Sequence, residues 1–451
     1  MVRIGKGRAK EMKGFGWLGR LRSMLTRAHL LLLLLAAAAI APAQGKEVDK
    51  ELLWAKVDRL SQQVEPKCIA WRRDIHQHPE LSGKEYRTAQ LVAQHLRGLG
   101  LEVRTGVAGT GVVGVLKGWR DRPVVALRAD MDALPVTEAT DLPFASKMEA
   151  EYEGKEVGVM HACGHDAHTA ILMAVAEVLS RVREDIPGTV KFIFQPAEEL
   201  GEGAAGMIKE GVLDMPSVDA IFGLHVGTYP VGTLWYRPGG YLASADLFSL
   251  VVVGSQTHGA KPWMGIDPIV IASQIVLGLQ TVVSRQVDLT ATPAVISIGS
   301  IHGGVRFNII PDRVEMVGTI RAFDRDIQKE IHQRMRRTAE MIAESAGARA
   351  EVKIESKVPV AYNDPDLTRR MLPTLERVVG EGRLLVGPQT TGSEDFAFFQ
   401  EKVPGLYFFL GITPEGGKAI PHHSPHFYVD EAALIVGVRA LAHLALDFLA
   451  D

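Results

Sequence analysis

Nine consecutive residues, Met160-His161-Ala162-Cys163-Gly164-His165-Asp166-Ala167-His168, carry one thiol and three imidazoles. Thiolate and imidazole are donors for zinc and its neighbours in the first transition row, so this density reads as a metal site. Cys163 and His165 stand two apart and meet at one ion only through a tightly shaped loop, for which Gly164 supplies the freedom. An apolar helical stretch follows from Thr169 to Val182, and its N-terminal dipole favours a thiolate at Cys163. The second signal is Gln195-Pro196-Ala197-Glu198-Glu199. Neighbours on an extended chain face opposite sides, so one carboxylate can bind metal while the other faces the pocket as a general base. His225 closes a later strand, and Pro421-His422-His423-Ser424-Pro425-His426-Phe427 is a His-rich turn able to complete a coordination sphere from the far end of the chain. Cys163, His165, Glu199, His225 and His423 together make five protein ligands. That is too many for one catalytic zinc, but it suits two ions bridged by the thiolate and a water.

The elements that must position these groups follow from hydrophobic periodicity. Asp49 to Leu99 reads as helical, broken at His78-Pro79-Glu80-Leu81-Ser82-Gly83. Short β-branched runs at Gly111–Leu116, Val124–Leu127, Thr189–Phe194 and Asp219–Leu224 read as strands alternating with helix. Such alternation predicts a mostly parallel α/β sheet with helices on both faces, whose chemistry gathers beyond the carboxyl ends of the strands. From about Tyr241 the texture changes. Strands at Leu247–Val253, Ala294–Ile298 and Arg313–Arg321, with helices at Pro268–Ser284 and Asp326–Ala346, predict a smaller α+β unit inserted into the first. The expected organisation is a catalytic domain over residues 48–238 and 355–451, interrupted by a satellite domain over 239–354.

With 451 residues, 23% of them charged, and a net charge of −3, the chain has room for two domains and lacks a polyanion-binding signature, which excludes nucleic acid as a partner class. A basic stretch from Arg3 to Arg27 precedes the apolar run Leu30 to Ala41 and then Ala41-Pro42-Ala43 before Gln44. This is a secretory signal over residues 1–43, predicting a periplasmic or secreted protein with no stable membrane span after cleavage; an uncleaved anchor is the alternative. Both Met1 and Met24 are candidate starts. The only two cysteines, Cys68 and Cys163, could pair on counting alone, but a disulfide would remove Cys163 as a ligand, so Cys68 is read as a partly buried helix residue.

The motifs HACGHDAH, QPAEE, GLHV, HGAKPWMGIDPI, FNIIPD, TGSEDFAFF and HHSPHF, in this order, resemble the dimetal aminoacylase and carboxypeptidase family. The match is to its branch of hippurate hydrolases, N-acyl-amino-acid amidohydrolases and auxin-conjugate (IAA-amino acid) hydrolases, and it covers about Leu53 to Phe448. The resemblance implies Cys163 as the bridging ligand, with His165, Glu199, His225 and His423 as the others and Glu198 as general base. His423 is preferred to His422 because it directly precedes Ser-Pro. His258 matches a histidine that steadies the oxyanion, in some relatives across a dimer. Asn308 and Arg321 match substrate contacts, and Asp130 an acid that orients a metal-bound imidazole. The satellite domain often dimerises in the family, so a homodimer through it is expected. The stretch Gly254–Trp263 departs from the usual glycine-rich version followed by Pro-His; it keeps His258 and Pro262, and its Trp263 is expected to alter the pocket or the interface.

The expected function is metal-dependent hydrolysis of the amide of an N-acyl amino acid or related small conjugate, with two Mn or Zn ions and a small-molecule amide as substrate. An exopeptidase or dipeptidase of the same architecture is the nearest rival. A non-catalytic metal-dependent binding protein is a third, against which Glu198 stands, since binding needs no base. A zinc deaminase and an HExxH protease lack their signatures here.

Overall fold

The computed structural model describes Ala9 and residues 49–450; Ala9 aside, the signal segment expected over residues 1–43 lies outside the described residues. Helices Lys50–Gln77 and Tyr86–Gly98 flank the break expected at 78–83. An eight-stranded sheet then runs in the order Glu102–Val107, Gly111–Lys117, Thr189–Gln195, Val124–Asp130, Ala220–Pro230, Gly405–Thr413, Leu234–Tyr236, Leu384–Val386. Its four central strands pair in parallel, while Glu102–Val107 and Gly111–Lys117 add an antiparallel edge. Val124–Asp130, Thr189–Gln195 and nearly all of His165–Ser180 are buried throughout. Such uninterrupted burial is what a parallel sheet covered on both faces requires. Helices His165–Ser180 and Ala432–Ala450 pack on one face; the short helices Gly203–Lys209 and Ala397–Gln400 lie on the other, against Ile193, Ile221 and Tyr407.

A second, antiparallel sheet is built from Ala294–Gly303, Arg313–Ala322, Ala245–Val253 and Arg349–Val358, in that order. Helices Pro268–Gln286 and Arg325–Ser345 cover one face and enclose a core of Phe248, Leu250, Ile275, Leu279, Ile331 and Met335. Each helix starts where an aspartate is free to cap it. Asp267 accepts the N–H groups of Ile269 and Val270 ahead of Pro268, and Asp324 those of Asp326 and Ile327. The last strand was not anticipated, and it runs on to Val358, past the boundary expected at 354. Among the described residues two helices, Pro268–Gln286 and Ala432–Ala450, are long and apolar enough to cross a membrane, but the second forms core beneath the large sheet.

Half-buried polar links join helix Lys50–Gln77 to helix Ala432–Ala450. Arg439 Nε and His443 Nε2 reach Asp58 Oδ1 at 2.7 and 2.9 Å, and Trp54 Nε1 donates to Asp447 Oδ1 at 2.7 Å. Burial alone would raise the Asp58 carboxyl, but the hydrogen bonds from His443 and Arg439 outweigh it and hold the group well below the usual carboxylate range. A carboxyl lowered in the folded state contributes stability above its unfolded pKa of about 3.9 and loses that contribution as the pH falls below it. Asp58→Asn should therefore unfold at lower urea than the wild type between about pH 5 and 7, with the gap closing as the pH drops below about 4. Urea midpoints measured across this range check it, and a gap that stays constant into acid would remove Asp58 from the clamp.

Candidate metal centre and active site

The site forms where the central strands end. Gly164 takes a left-handed φ of 85°, a turn that L residues resist, and a Cβ there would meet Val226 Cγ2 at 2.4 Å. Cys163 and His165 thereby face the same space across the start of helix His165–Ser180. Cys163 Sγ lies 3.4 Å from His225 Nε2. It belongs to two sets of mutually close donors, one with His165 and His225, the other with Glu199 and His423. One sulfur common to two triads is the arrangement that a bridging ligand between two ions demands. His423 takes a left-handed φ of 63° and places Nε2 3.3 Å from Glu199 Oε1, out of line for a hydrogen bond. Glu199 Oε1 and His165 Nε2 are thus buried polar atoms without a hydrogen-bond partner among the described residues. Buried polar atoms are almost always partnered, so this donor set fits a pair of divalent cations.

The tautomers suit ligation. His225 Nδ1 donates to the Val226 carbonyl at 2.6 Å, and His165 Nδ1 to Asp132 Oδ1 at 3.2 Å, which leaves each Nε2 to face the centre. Burial, then His168 and His422, hold His225 well below the usual imidazole range, so it is neutral as a ligand must be. The thiol is another matter: burial and the Glu199 carboxylate push Cys163 well above its ordinary value, against the helix dipole. The favour lent by the dipole is outweighed in the absence of metal, and the positive charge of bound metal would supply the difference.

Four further expectations are revised. Glu198 and Glu199 do not alternate along an extended strand. They sit in a turn that follows Ala197, whose φ is +51°, and both carboxylates approach within 4.0 Å of His165 Nε2. Asp130 does not hold His165 by a hydrogen bond; it accepts from His168 Nδ1 at 2.6 Å and from Arg128 Nη1 at 2.7 Å. Asp132 is the acid on His165, and it also accepts the Glu199 N–H at 3.0 Å, coupling two ligands. His168 has both nitrogens engaged, since its Nε2 accepts the Val226 N–H, so it is no ligand. The strand expected to end at Leu224 continues to Pro230 and carries His225 within it. His422 hydrogen-bonds the Val226 carbonyl through Nε2 at 2.9 Å, away from the donor sets. Cys68 is fully enclosed rather than partly buried, and both cysteines are free.

Beside the donors opens a cavity of about 600 Å³ whose walls include Glu198, Leu200, Tyr229, Leu242, Ser393 and Phe409. No Lys or Arg lines it among the described residues. Its floor contains Glu394 and Asp395, quoted above in TGSEDFAFF without a role. Both pair with Arg128 Nη2, at 2.9 and 3.0 Å. Burial first, then Glu394, Asp395 and Glu199, push Glu198 well above the usual carboxyl range, which suits a group that must take up a proton. His258, Asn308 and Arg321 are elsewhere. His258 is exposed and pairs with Ile309 in a small two-stranded sheet, Gly259 N–H donates to the Asn308 carbonyl at 2.8 Å, and Arg321 folds back on Thr319 Oγ1 at 2.8 Å.

Asp132 provides the sharpest check on this geometry. Asp132→Asn should weaken metal binding by roughly 10- to 100-fold, because one amide group cannot accept from both His165 and the Glu199 backbone as the carboxylate does. Competition with a chelating dye measures it; unchanged affinity would mean that Asp132 does not orient the ligands.

Known proteins resemble this chain in sequence and in fold. The sequence profile of peptidase family M20/M25/M40 matches residues 126–447. A thermostable carboxypeptidase of Saccharolobus solfataricus is 43% identical over 392 residues, 86% of this chain and 96% of its own. An N-acetylcysteine deacetylase of Bacillus subtilis is 41% identical over 388 residues, covering 84% and 96%. The crystal structure of a dinuclear metal-binding peptidase of the M20 family, also from Bacillus subtilis, superposes with a TM-score of 0.74 at 39% identity over 86% of this chain and 99% of that one. With a profile spanning most of the chain and relatives of this closeness along nearly their full length, the protein belongs to the peptidase family M20/M25/M40.

Proposed function

We propose that this dimetal amidohydrolase cleaves the amide of N-acyl amino acids, releasing a carboxylic acid and an amino acid. The observation that carries the reading is the turn holding Glu198 and Glu199 together, a buried carboxyl of raised proton affinity beside a carboxylate of the donor set. Two divalent ions, Mn or Zn, would be held by Cys163, His165, His225, Glu199 and His423, and would supply Lewis acidity toward the acyl carbonyl and acidity to a water. Glu198 accepts the proton of the attacking water as its oxygen bonds to the acyl carbon. The same carboxyl then delivers that proton to the amide nitrogen as the C–N bond breaks. Leu200, Leu242, Tyr229 and Phe409 give the acyl group an apolar wall. Exopeptidase action on dipeptides is the second reading, favoured by the 43% identity to a carboxypeptidase. Amine release from a panel of N-acyl amino acids and dipeptides, after chelation and reloading with Mn or Zn, separates the two. Glu198→Gln should lower turnover on the best substrate by about 100- to 10,000-fold with metal retained; near-normal turnover would sink the base assignment.

His258 supports a homodimer. Its Nδ1 accepts the Ala260 N–H at 3.0 Å, so the neutral ring carries its proton on Nε2, at the exposed end. A donor outside the cavity of its own chain suits the oxyanion of a partner's site. His258→Ala should lose about 100-fold in turnover without loss of metal, and mixing it with Glu198→Gln chains should restore part of the activity, since one of the two hybrid sites is then intact. Absence of rescue despite demonstrated subunit exchange would confine His258 to its own chain.

A further inference from the structure

Glu85 stands outside every motif of the sequence and outside the cavity, yet its carboxylate is tied to the turn that carries Glu198 and Glu199. It is fully buried and precedes helix Tyr86–Gly98 directly. The first N–H groups of a helix need acceptors from outside its own backbone ladder. Here Glu80 supplies them, accepting the N–H groups of Arg87 and Thr88 at 2.9 Å each. Glu85 makes no side-chain cap; its Oε1 accepts the Ala197 N–H at 2.9 Å and the Gly83 N–H at 2.7 Å, and its Oε2 accepts from Thr110 Oγ1.

Ala197 is the residue with φ +51°, a conformation that a non-glycine residue keeps only when its surroundings hold it. The turn is gripped on both sides of Glu198. Glu85 takes the N–H of Ala197 and Asp132 that of Glu199, while Ser82 Oγ, from the same loop as Glu85, donates to Asp132 Oδ2 at 2.6 Å. On the far side a Cβ at Gly203 would meet the Pro196 carbonyl at 1.7 Å, so the turn is closely backed as well as held.

We infer that Glu85 is a positioning residue for the hydrolysis: by fixing the Ala197 N–H it aims Glu198 into the cavity and Glu199 at the metal donors. A buried carboxylate is costly unless its hydrogen bonds are made in full, and here they end on the backbone next to the proposed base. The inference rests on Glu198 as base and Glu199 as ligand.

The test uses the Mn-loaded full-length enzyme. Glu85→Ala should lose turnover by roughly 10- to 100-fold at little changed KM, and should yield Mn to a chelating dye at about tenfold lower chelator concentration. Glu85→Gln can still accept both N–H groups through Oε1 while Nε2 donates to Thr110 Oγ1, and should keep both readouts within about threefold of wild type. If Glu85→Ala does not fold, Glu85→Asp, one methylene short of the turn, should show the same losses at about tenfold. A residue that only stabilised the fold would lower the unfolding midpoint and leave turnover and metal retention per folded chain unchanged; that outcome, or a folded Gln variant as impaired as Ala, overturns the inference. Wild-type turnover in Glu198→Gln would sink the underlying reading, whereas normal Glu85→Ala beside an inactive Glu198→Gln would sink this one alone.

Discussion

One guanidinium holds the centre of this molecule together. Arg128 is buried on the central strand Val124–Asp130 and reaches Asp130 with Nη1, Glu394 and Asp395 with Nη2, and Gln195 with Nε. Taking that charge out of water would be prohibitive without fully made hydrogen bonds. The planar fork of arginine can make them in several directions at once, which an ammonium could not do in the same geometry. Because its partners come from two strand ends and from a loop more than 260 residues later, the same cation fixes where those segments meet. It also leaves a deficit. Asp132, Glu198 and Glu199 crowd the same region, and one guanidinium cannot balance them together with Asp130, Glu394 and Asp395. Divalent cations held by the Cys163 donors would answer that excess, so the electrostatics of the scaffold and of the donor set are one problem.

The chemistry was legible where residue type alone narrows it. Four metal-binding side chains in nine residues, an adjacent pair of glutamates after a buried strand, and a histidine pair ahead of Ser-Pro are rare enough to stand out, and the structure brings Cys163, His165, Glu199, His225 and His423 to one place. Which acid serves which imidazole was not legible. Asp130 and Asp132 stand two apart on one run, and only the path of the chain after the strand decides that Asp132 meets His165 while Asp130 meets His168. Glu85 lies further still from notice, because its importance is in which backbone N–H it accepts, and sequence is silent on that. The alternation in Arg349-Ala350-Glu351-Val352-Lys353-Ile354 carries a strand signal in plain form, and the fourth strand of the second sheet could have been read from it.

Strand periodicity recovered the parallel centre better than its edges. Val124–Asp130 and Thr189–Gln195 are buried throughout and carry the apolar runs Val124–Leu127 and Phe192–Phe194, as burial on both faces dictates. Glu102–Val107, mostly exposed and interrupted by Gly106, has no such texture, and it becomes a strand only because Gly111–Lys117 turns back beside it. The second sheet shows the complementary case. Its inward residues alternate cleanly, but nothing in that pattern says that Arg321 would fold back onto Thr319 instead of reaching toward a substrate.

The placement of strand Gly405–Thr413 constrains the order of events in the life of the chain. It inserts between Ala220–Pro230 and Leu234–Tyr236, near the middle of the sheet, although it comes from the last tenth or so of the sequence. His423 follows it, and the helix that seals the sheet, Ala432–Ala450, is last of all. Until the chain has been made past His423, the large sheet has a gap, the donor set lacks a member, and Ala220–Pro230 has an unpaired edge. Assembly of the donor set is therefore a long-range step, and a chain that stops between Pro230 and Gly405 lacks His423 and leaves one edge of a buried strand unpaired.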